Sequence, residues 1–407
     1  MDRQNSNNYW SATENNATNA YNVNFNNGDV NNNNKTNTNY VRAVRSGEWR
    51  DIFLFGNIYR CYLKCRRNKR NTMNALRFEM NAEENILRLE KELKDKAYHP
   101  SRSILFFAKK PKLREIFAAD FRDRVVHHIL VGYLEPLFEK IFIYDSYACR
   151  KAKGTHRAVM RLQGFMRRVS KNGTIRGYYL QLDIKSFFTN IDKKILFGLI
   201  RKRTNNRDIL WLAEKIIFHD CTKSYILKDN NELFKELPED KSLFGKENKK
   251  GVPIGNLTSQ FFANVYLNEL DQFVKHNLRC CYYIRYADDF VLLDTSREKL
   301  VNWMGRIEEF LENRLGLRLN PKRTKLQPLS NGIDFLGYIL RRDYILVRRR
   351  VVNNMNTRLR YFENCRIKGL DYEMLEGLRS SLQSYLGHFR WANSYRLREN
   401  LFKRAIV

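Results

Sequence analysis

The sequence predicts an α+β fold, and three observations carry that reading. Leu180, Leu182 and Ile184 alternate with Gln181 and Asp183, the period of a strand with one face buried. Tyr282–Leu293 reads Tyr-Tyr-Ile-Arg-Tyr-Ala-Asp-Asp-Phe-Val-Leu-Leu. Its strand-like flanks predict a hairpin with Asp288 and Asp289 at the turn. Phe262, Val265, Leu270 and Phe273, like Ile86, Leu89 and Leu93, recur at helical spacing.

The acids set the chemistry. Two adjacent anions between apolar flanks repel each other and need a cation to stay ionised. A solvated Asp-Asp turn is the bland alternative. Asp183 argues against it, because it points away from the apolar face of its own strand and supplies a third carboxylate. Three carboxylates can hold two Mg²⁺ ions, one activating an attacking hydroxyl and one steadying a leaving pyrophosphate. That is nucleotidyl-transfer chemistry.

Tyr286-Ala-Asp-Asp289, preceded by Asp183-Ile-Lys-Ser-Phe-Phe188, resembles motifs C and A of reverse transcriptases. The resemblance runs from about Trp49 to the C-terminus. It implies a right-hand polymerase, with fingers and palm of antiparallel sheet plus helices over 47–340 and an α-helical thumb over 341–407. It also implies that Asp183, Asp288 and Asp289 are catalytic and hold two Mg²⁺ ions, which Mn²⁺ can replace, with Ile184 offering its carbonyl to a metal.

Composition agrees with a polyanionic partner. Lys and Arg number 74 against 44 acids in 407 residues, a net charge of +30. Seven cysteines show no paired metal-ligand spacing, which disfavours zinc, and their odd count fits a reducing cytoplasm. The resemblance implies that the cytoplasm is that of a bacterium, with the gene bacterial or phage-encoded. No apolar run approaches membrane-spanning length.

Residues 1–46 differ from the rest. Sixteen of the first forty are Asn, which predicts a disordered leader. Its patterning (Tyr9-Trp-Ser-Ala-Thr-Glu14, Ala20–Gly28, Tyr40–Arg45) resembles the hypervariable end of lectin-fold display proteins diversified by retroelements. The leader is therefore expected to be translated template repeat, included by an upstream start.

Ile104–Phe117 reads as two strands joined by a basic turn and resembles the fingers hairpin that closes over a triphosphate. Arg114 matches the triphosphate-binding arginine, whose fork suits phosphate oxygens. Lys109, Lys110 and Lys112 are candidate helpers, with no ground for choosing among them. A helix follows and is expected to end near Pro136. Ser146–His156 resembles the segment that leads the template inward, with Arg150, Lys151 and Lys153 as phosphate contacts.

Phe188, five residues past Asp183, matches the aromatic ring that crowds a ribose 2′-hydroxyl and so favours dNTPs; Phe187 suits the core better. Cys221–Lys250 looks like a family-specific insertion with short β character and no readable function. Gly251-Val-Pro-Ile-Gly-Asn-Leu-Thr-Ser-Gln260 is the most discriminating motif, with Thr258 or Ser259 expected to cap the helix after it. Most reverse transcriptases carry Pro-Gln-Gly here and end in Ser-Pro. Ile254 and Gln260 depart from that and resemble polymerases of diversity-generating retroelements. A Gln would hydrogen-bond the nascent pair, whereas Ile254 offers only shape. The lost contact is worth about 1–3 kcal/mol, enough to raise errors roughly ten- to a hundredfold.

Leu317–Lys325 resembles motif D, with Arg323 where relatives carry Lys. Arginine cannot donate a proton readily, so Arg323 is expected to stabilise charge, leaving Lys322 or Lys325 as donor. Asp334-Phe-Leu-Gly-Tyr338 resembles the primer grip, placing Phe335, Leu336 and Gly337 at the primer end. Val347–Val407 carries thirteen basic residues against five acidic, with Arg348, Arg349 and Arg350 leading a thumb that grips nucleic acid.

The resemblance thus implies an RNA-directed DNA polymerase that copies template-repeat RNA into adenine-mutagenised cDNA to diversify a target gene. dNTPs, template RNA, a cDNA primer and a small basic accessory protein are the implied partners, with no membrane. A retron or phage-defence reverse transcriptase shares the acids but not the Ile254 signature. An intron maturase would normally carry a DNA-binding or nuclease extension. A non-catalytic RNA-binding protein would need no acid triad.

Overall fold

In the computed structural model, the described residues are 8–14, 19–24, 30–34, 51–67, 72–109, 112–247, 249–367 and 371–406. The chain divides into two compact units, Met1–Ile52 and Phe53–Val407. The first carries β1 (Asn8–Glu14), β2 (Asn19–Asn24) and β3 (Val30–Asn34), paired antiparallel in that order. These strands correct the expectation of disorder over this part of the leader. Each pairs through its backbone, which Asn side chains do not prevent.

The second unit opens with three helices, α1 (Phe55–Arg66), α2 (Met73–Met80) and α3 (Ala82–Lys94). The expected basic hairpin follows as β4 (Ser103–Ala108) and β5 (Arg114–Ala118), in register from Ile104↔Ala118 to Ala108↔Arg114. Helix α4 (Phe121–Glu139) runs three residues past Pro136. Proline within a helix normally breaks it, but here the helix is about to end and its buried face is held by Leu134 and Phe138. Then come α5 (Thr155–Val169), β6 (Tyr178–Asp183), α6 (Phe187–Asn190), α7 (Lys193–Arg201) and α8 (Arg207–Ile217).

The insertion contains β7 (Tyr225–Leu227), which joins β4 in parallel, and a short helix α9 (Leu233–Glu236). Helix α10 (Leu257–Gln272) leads to the acidic hairpin, β8 (Tyr282–Tyr286) and β9 (Asp289–Asp294). After α11 (Arg297–Phe310) the chain forms β10 (Lys325–Pro328), β11 (Ile333–Phe335), β12 (Tyr338–Leu340) and β13 (Ile345–Val347). Helices α12 (Arg349–Ile367), α13 (Tyr372–Phe389) and α14 (Tyr395–Ile406) close the chain. β13 pairs with β12, so the sheet continues past the expected palm boundary at 340 and the helical part begins at Arg349.

The palm sheet has the order β10-β6-β9-β8, all antiparallel. β6 lies inside it and is buried on both faces, not one: Leu180 and Leu182 on one side, Gln181 and Asp183 on the other. One core joins α5, β8, β9 and the β11–β12 hairpin through Leu162, Phe165, Ile284, Val291, Phe335 and Tyr338. The thumb helices have their own, around Met355, Leu359, Phe389 and Leu401. The arrangement is α+β, as the sequence predicts. No helix among the described residues is long and apolar enough to cross a membrane.

Candidate active site

The hairpin turn is two residues long. Tyr286 pairs with Asp289, leaving Ala287 and Asp288 between the strands. Ala287 has φ 55°, a left-handed conformation that costs a residue with a Cβ. Its carbonyl is held at 3.0 Å by Nη1 of Arg285. That guanidinium is wholly buried and spends its remaining donors on Asp271 (2.8 and 2.6 Å), Ser146 Oγ (3.0 Å) and Asn264 Oδ1 (3.3 Å). Tyr283 donates to the same Asp271 at 2.7 Å. Sequence reasoning missed this network. The available signal was a charge inside an apolar strand, which can be buried only with a partner.

β6 brings the third acid alongside. Asp183 stands opposite Asp289 in the β6–β9 register, and the Ile184 amide donates to the Asp288 carbonyl at 3.3 Å. Gln181 Nε2 donates to Asp289 at 3.2 Å and to the Asp334 carbonyl at 3.1 Å. Burial pushes the Asp289 carboxyl up to about 7, with Asp183 and Asp288 adding to the effect against the Gln181 bond. Burial and then Asp183 raise Asp288 as well.

Asp183 itself is turned elsewhere. Arg323 Nη1 donates to its Oδ1 and Asn320 Nδ2 to its Oδ2, both at 2.9 Å. Among the described residues, no three His, Cys, Asp or Glu side chains close around a single ion. The expectation of three acids converged on shared ions is corrected to this extent: the strands juxtapose them, while a cation of the chain takes Asp183. The donor set nevertheless fits a hard divalent cation, because it is all oxygen and its like charges raise one another. Arg323, assigned by sequence to charge stabilisation, rests on an acid.

Around the acids lie cations. Arg114 is exposed at the start of β5, near enough to favour ionised Asp288. Burial, with Arg323 and Lys241 nearby, pushes the Lys112 ammonium down, and Asp183 opposes this. Lys112 is thus placed beside the acids. Lys109 is exposed just past β4, and Lys110 lies outside the described residues. Lys322 and Lys325 are exposed near Arg323 in the chain.

Phe187 is buried at 2% and packs on Tyr266, while the ring of Phe188, 5.2 Å from it, is only partly covered. The Phe188 carbonyl accepts from the Val252 amide at 2.9 Å, which ties this turn to the Gly251–Gln260 segment. Ile254 is partly covered, and its carbonyl accepts from Phe117 of β5 at 3.0 Å. At Gly255, φ +119°, a Cβ would lie 2.7 Å from Ile116 Cγ2, so only glycine fits. Gln260 is exposed on α10. Thr258 and Ser259 do not cap that helix: Asn256 holds the N-cap position, Thr258 is buried within the helix, and the Ser259 hydroxyl donates back to Pro253.

Two of the expected phosphate contacts are spent on the chain itself. The Arg150 side chain is 6% exposed, paired with Glu139 at 2.7 Å and donating to the carbonyls of Ile143 and Ser146. Lys153 donates to the Tyr144 carbonyl at 2.8 Å and lies over that ring. Lys151 is exposed and pairs with Glu135 at 2.7 Å. A loop without sheet or helix bonds satisfies its carbonyls with its own cations. Arg348 pairs with Asp334, and its amide donates to the Gly337 carbonyl at 2.9 Å, so it braces the β11–β12 turn; Arg349 and Arg350 are exposed. In that turn Phe335 is buried, and Leu336 (φ 51°) and Gly337 (φ 90°) are left-handed, the pattern of a tight two-residue hairpin. Tyr338 donates to the His388 carbonyl at 2.8 Å, fixing the hairpin to the thumb.

Residues 107–340 match the family described as "Reverse transcriptase (RNA-dependent DNA polymerase)". The chain is 26% identical over 276 residues to Protein YkfC of Escherichia coli (strain K12), covering 59% of this chain and 66% of that one. It is 23% identical over 325 residues to the group II intron-encoded protein LtrA of Lactococcus lactis subsp. cremoris, covering 64% and 50%. Nuclear intron maturase 1, mitochondrial, of Arabidopsis thaliana is 24% identical over 312 residues, covering 58% and 43%. The chain therefore spans less than two thirds of these relatives. Among solved structures, apo telomerase from Candida Tropicalis aligns with a TM-score of 0.47 at 14% identity, covering 70% of this chain and 52% of that one.

Proposed function

Because the chain belongs to the reverse transcriptase (RNA-dependent DNA polymerase) family, we propose that it copies an RNA template into DNA. The observation that carries this is the register of Asp183 against Asp289, with Asp288 at the adjoining turn. Asp183, Asp288 and Asp289 would hold divalent magnesium, with Ile184 beside them and manganese able to substitute. Bound there, the metal supplies Lewis-acid stabilisation of the attacking hydroxyl and the departing pyrophosphate. Arg114 and Lys112 bind the triphosphate, Phe188 crowds the sugar, and the Leu336–Gly337 turn orients the primer end. Exposed cations of the thumb, Arg349 and Arg350 among them, hold the hybrid by its phosphates. Primer extension on an RNA template with dNTPs tests this; a pure, folded protein that extends no primer would defeat it.

The finer reading is error-prone copying of a template repeat, as in diversity-generating retroelements, with a small basic accessory protein as partner. Ile254 supports it. This residue sits on the turn anchored to β5, where its side chain has no hydrogen bond to offer the nascent pair. Ile254→Gln should lower misincorporation by roughly ten- to a hundredfold, read by sequencing the cDNA. Unchanged errors, at adenine above all, would remove this part.

A further inference from the structure

The insertion Cys221–Lys250 has no role in the sequence reading, yet it crosses from fingers to palm. At one end β7 extends the fingers sheet beside β4, and the Phe107 amide donates to Asp229 Oδ2 at 2.5 Å. At the other, the single turn Glu239–Lys241 sits against the chain between Asp183 and Phe188. Asp240 Oδ2 accepts from the Ser186 hydroxyl at 2.6 Å, and the Asp240 carbonyl accepts from Thr189 Oγ1 at 2.8 Å. Two residues on, Ser242 Oγ donates to Glu115 Oε2 at 2.9 Å, and the Leu243 amide donates to the other Glu115 oxygen. Glu115 is 3% exposed and directly follows Arg114.

Ser186 is where this matters. It adopts φ 48°, ψ 48°, left-handed backbone that a serine holds only when its surroundings impose it. Its carbonyl accepts from Asn190 Nδ2 at 3.0 Å, and its hydroxyl is fixed by Asp240. The same bond holds the Asp240 carboxyl below its usual range, keeping the acceptor ionised. This kink sets the direction in which the chain leaves the Asp183 strand. Phe187 is locked in the core, but the Phe188 ring is only partly packed, so the backbone largely decides where it stands.

We propose that Glu239–Leu243 is a strap that sets the sugar gate, with Asp240 as the positioning residue for Phe188 through Ser186. The strap ties that gate to β5, which carries Arg114, so the groups that meet the sugar and the triphosphate share one brace. The proposal rests on the reading that the chain polymerises dNTPs with Phe188 at the ribose. Excluding one hydroxyl needs sub-ångström placement, and small displacements of such groups change rates severely.

The test measures kcat/KM for dNTP and NTP separately, with full-length protein on an RNA template. Asp240→Ala and Ser186→Ala should each lower the dNTP-over-NTP ratio about tenfold, mainly through a lower KM for NTP. Asp240→Asn, whose amide oxygen still accepts from Ser186, should recover most of the ratio. The Asp240→Ala/Ser186→Ala double variant should be no worse than either single one, because both remove the same bond. An unchanged ratio in folded Ser186→Ala or Asp240→Ala, equal losses for both substrates, or additive effects would overturn the strap. A wild-type protein that makes no DNA would instead defeat the polymerase reading itself.

Discussion

Two sets of acids meet the acidic hairpin, one from helix α10 and one at its turn, and the fold treats them oppositely. Asp271 is wholly buried and is closed by Arg285, with Tyr283 completing its shell. Asp288 and Asp289 stand at the end of the hairpin that carries Arg285 and Tyr283, and among the described residues no cation closes on them in this way; burial, with the charge of Asp183, pushes both carboxyls up. A buried charge that is permanently paired belongs to the architecture, since removing one partner strands the other. Charges gathered without a permanent cation store repulsion that only a ligand relieves. Asp183 is intermediate, because its partner Arg323 is half exposed and free to swing away.

The comparison can be broken from either side. Asp288→Asn should slow primer extension roughly a thousandfold, about 4 kcal/mol in rate terms, while leaving thermal stability unchanged or higher. A matching loss of stability would make Asp288 structural. Arg285→Met should do the reverse in kind, costing about 3–5 kcal/mol in denaturant unfolding because Asp271 is left buried and alone. Adding Asp271→Leu should restore much of that; if it does not, the pair is more than a neutralised charge. Arg323→Gln should tighten Mn²⁺ binding only a few-fold, read by electron paramagnetic resonance on the full chain, since a half-exposed pair is worth about 1 kcal/mol or less. Weaker binding would mean that Arg323 organises the site and does not compete for it. Smallest of all, Lys151→Ala at its exposed pair with Glu135 should move stability by less than about 0.5 kcal/mol. A larger change in folding would place that pair with Asp271 and Arg285.

Much of the site was legible because its signals are local. The acidic hairpin and the alternating strand each follow from a few neighbouring residues obeying a strand period. The bonds of Arg150 and Lys153 to their own loop were not legible, because a basic residue in a loop reads the same whether it faces a ligand or its own carbonyls. Only the partner's position separates the two. The strands of the Asn-rich leader were missed for a related reason: composition reports how little core a segment can make, not whether its backbone pairs.

The sequence by itself determined the chemistry available to this protein: three acids on strand ends, cations on the fingers turn, and an isoleucine where a hydrogen-bonding side chain is usual. Residue type and short-range period suffice for that, because they fix what each group can donate, accept or bury. Tertiary structure alone decided the pairings. It turned Asp183 onto Arg323, closed Arg285 on Asp271, and laid Asp240 against Ser186 across 54 residues of chain. Such contacts depend on how separate elements pack, and no local pattern encodes the distance between them.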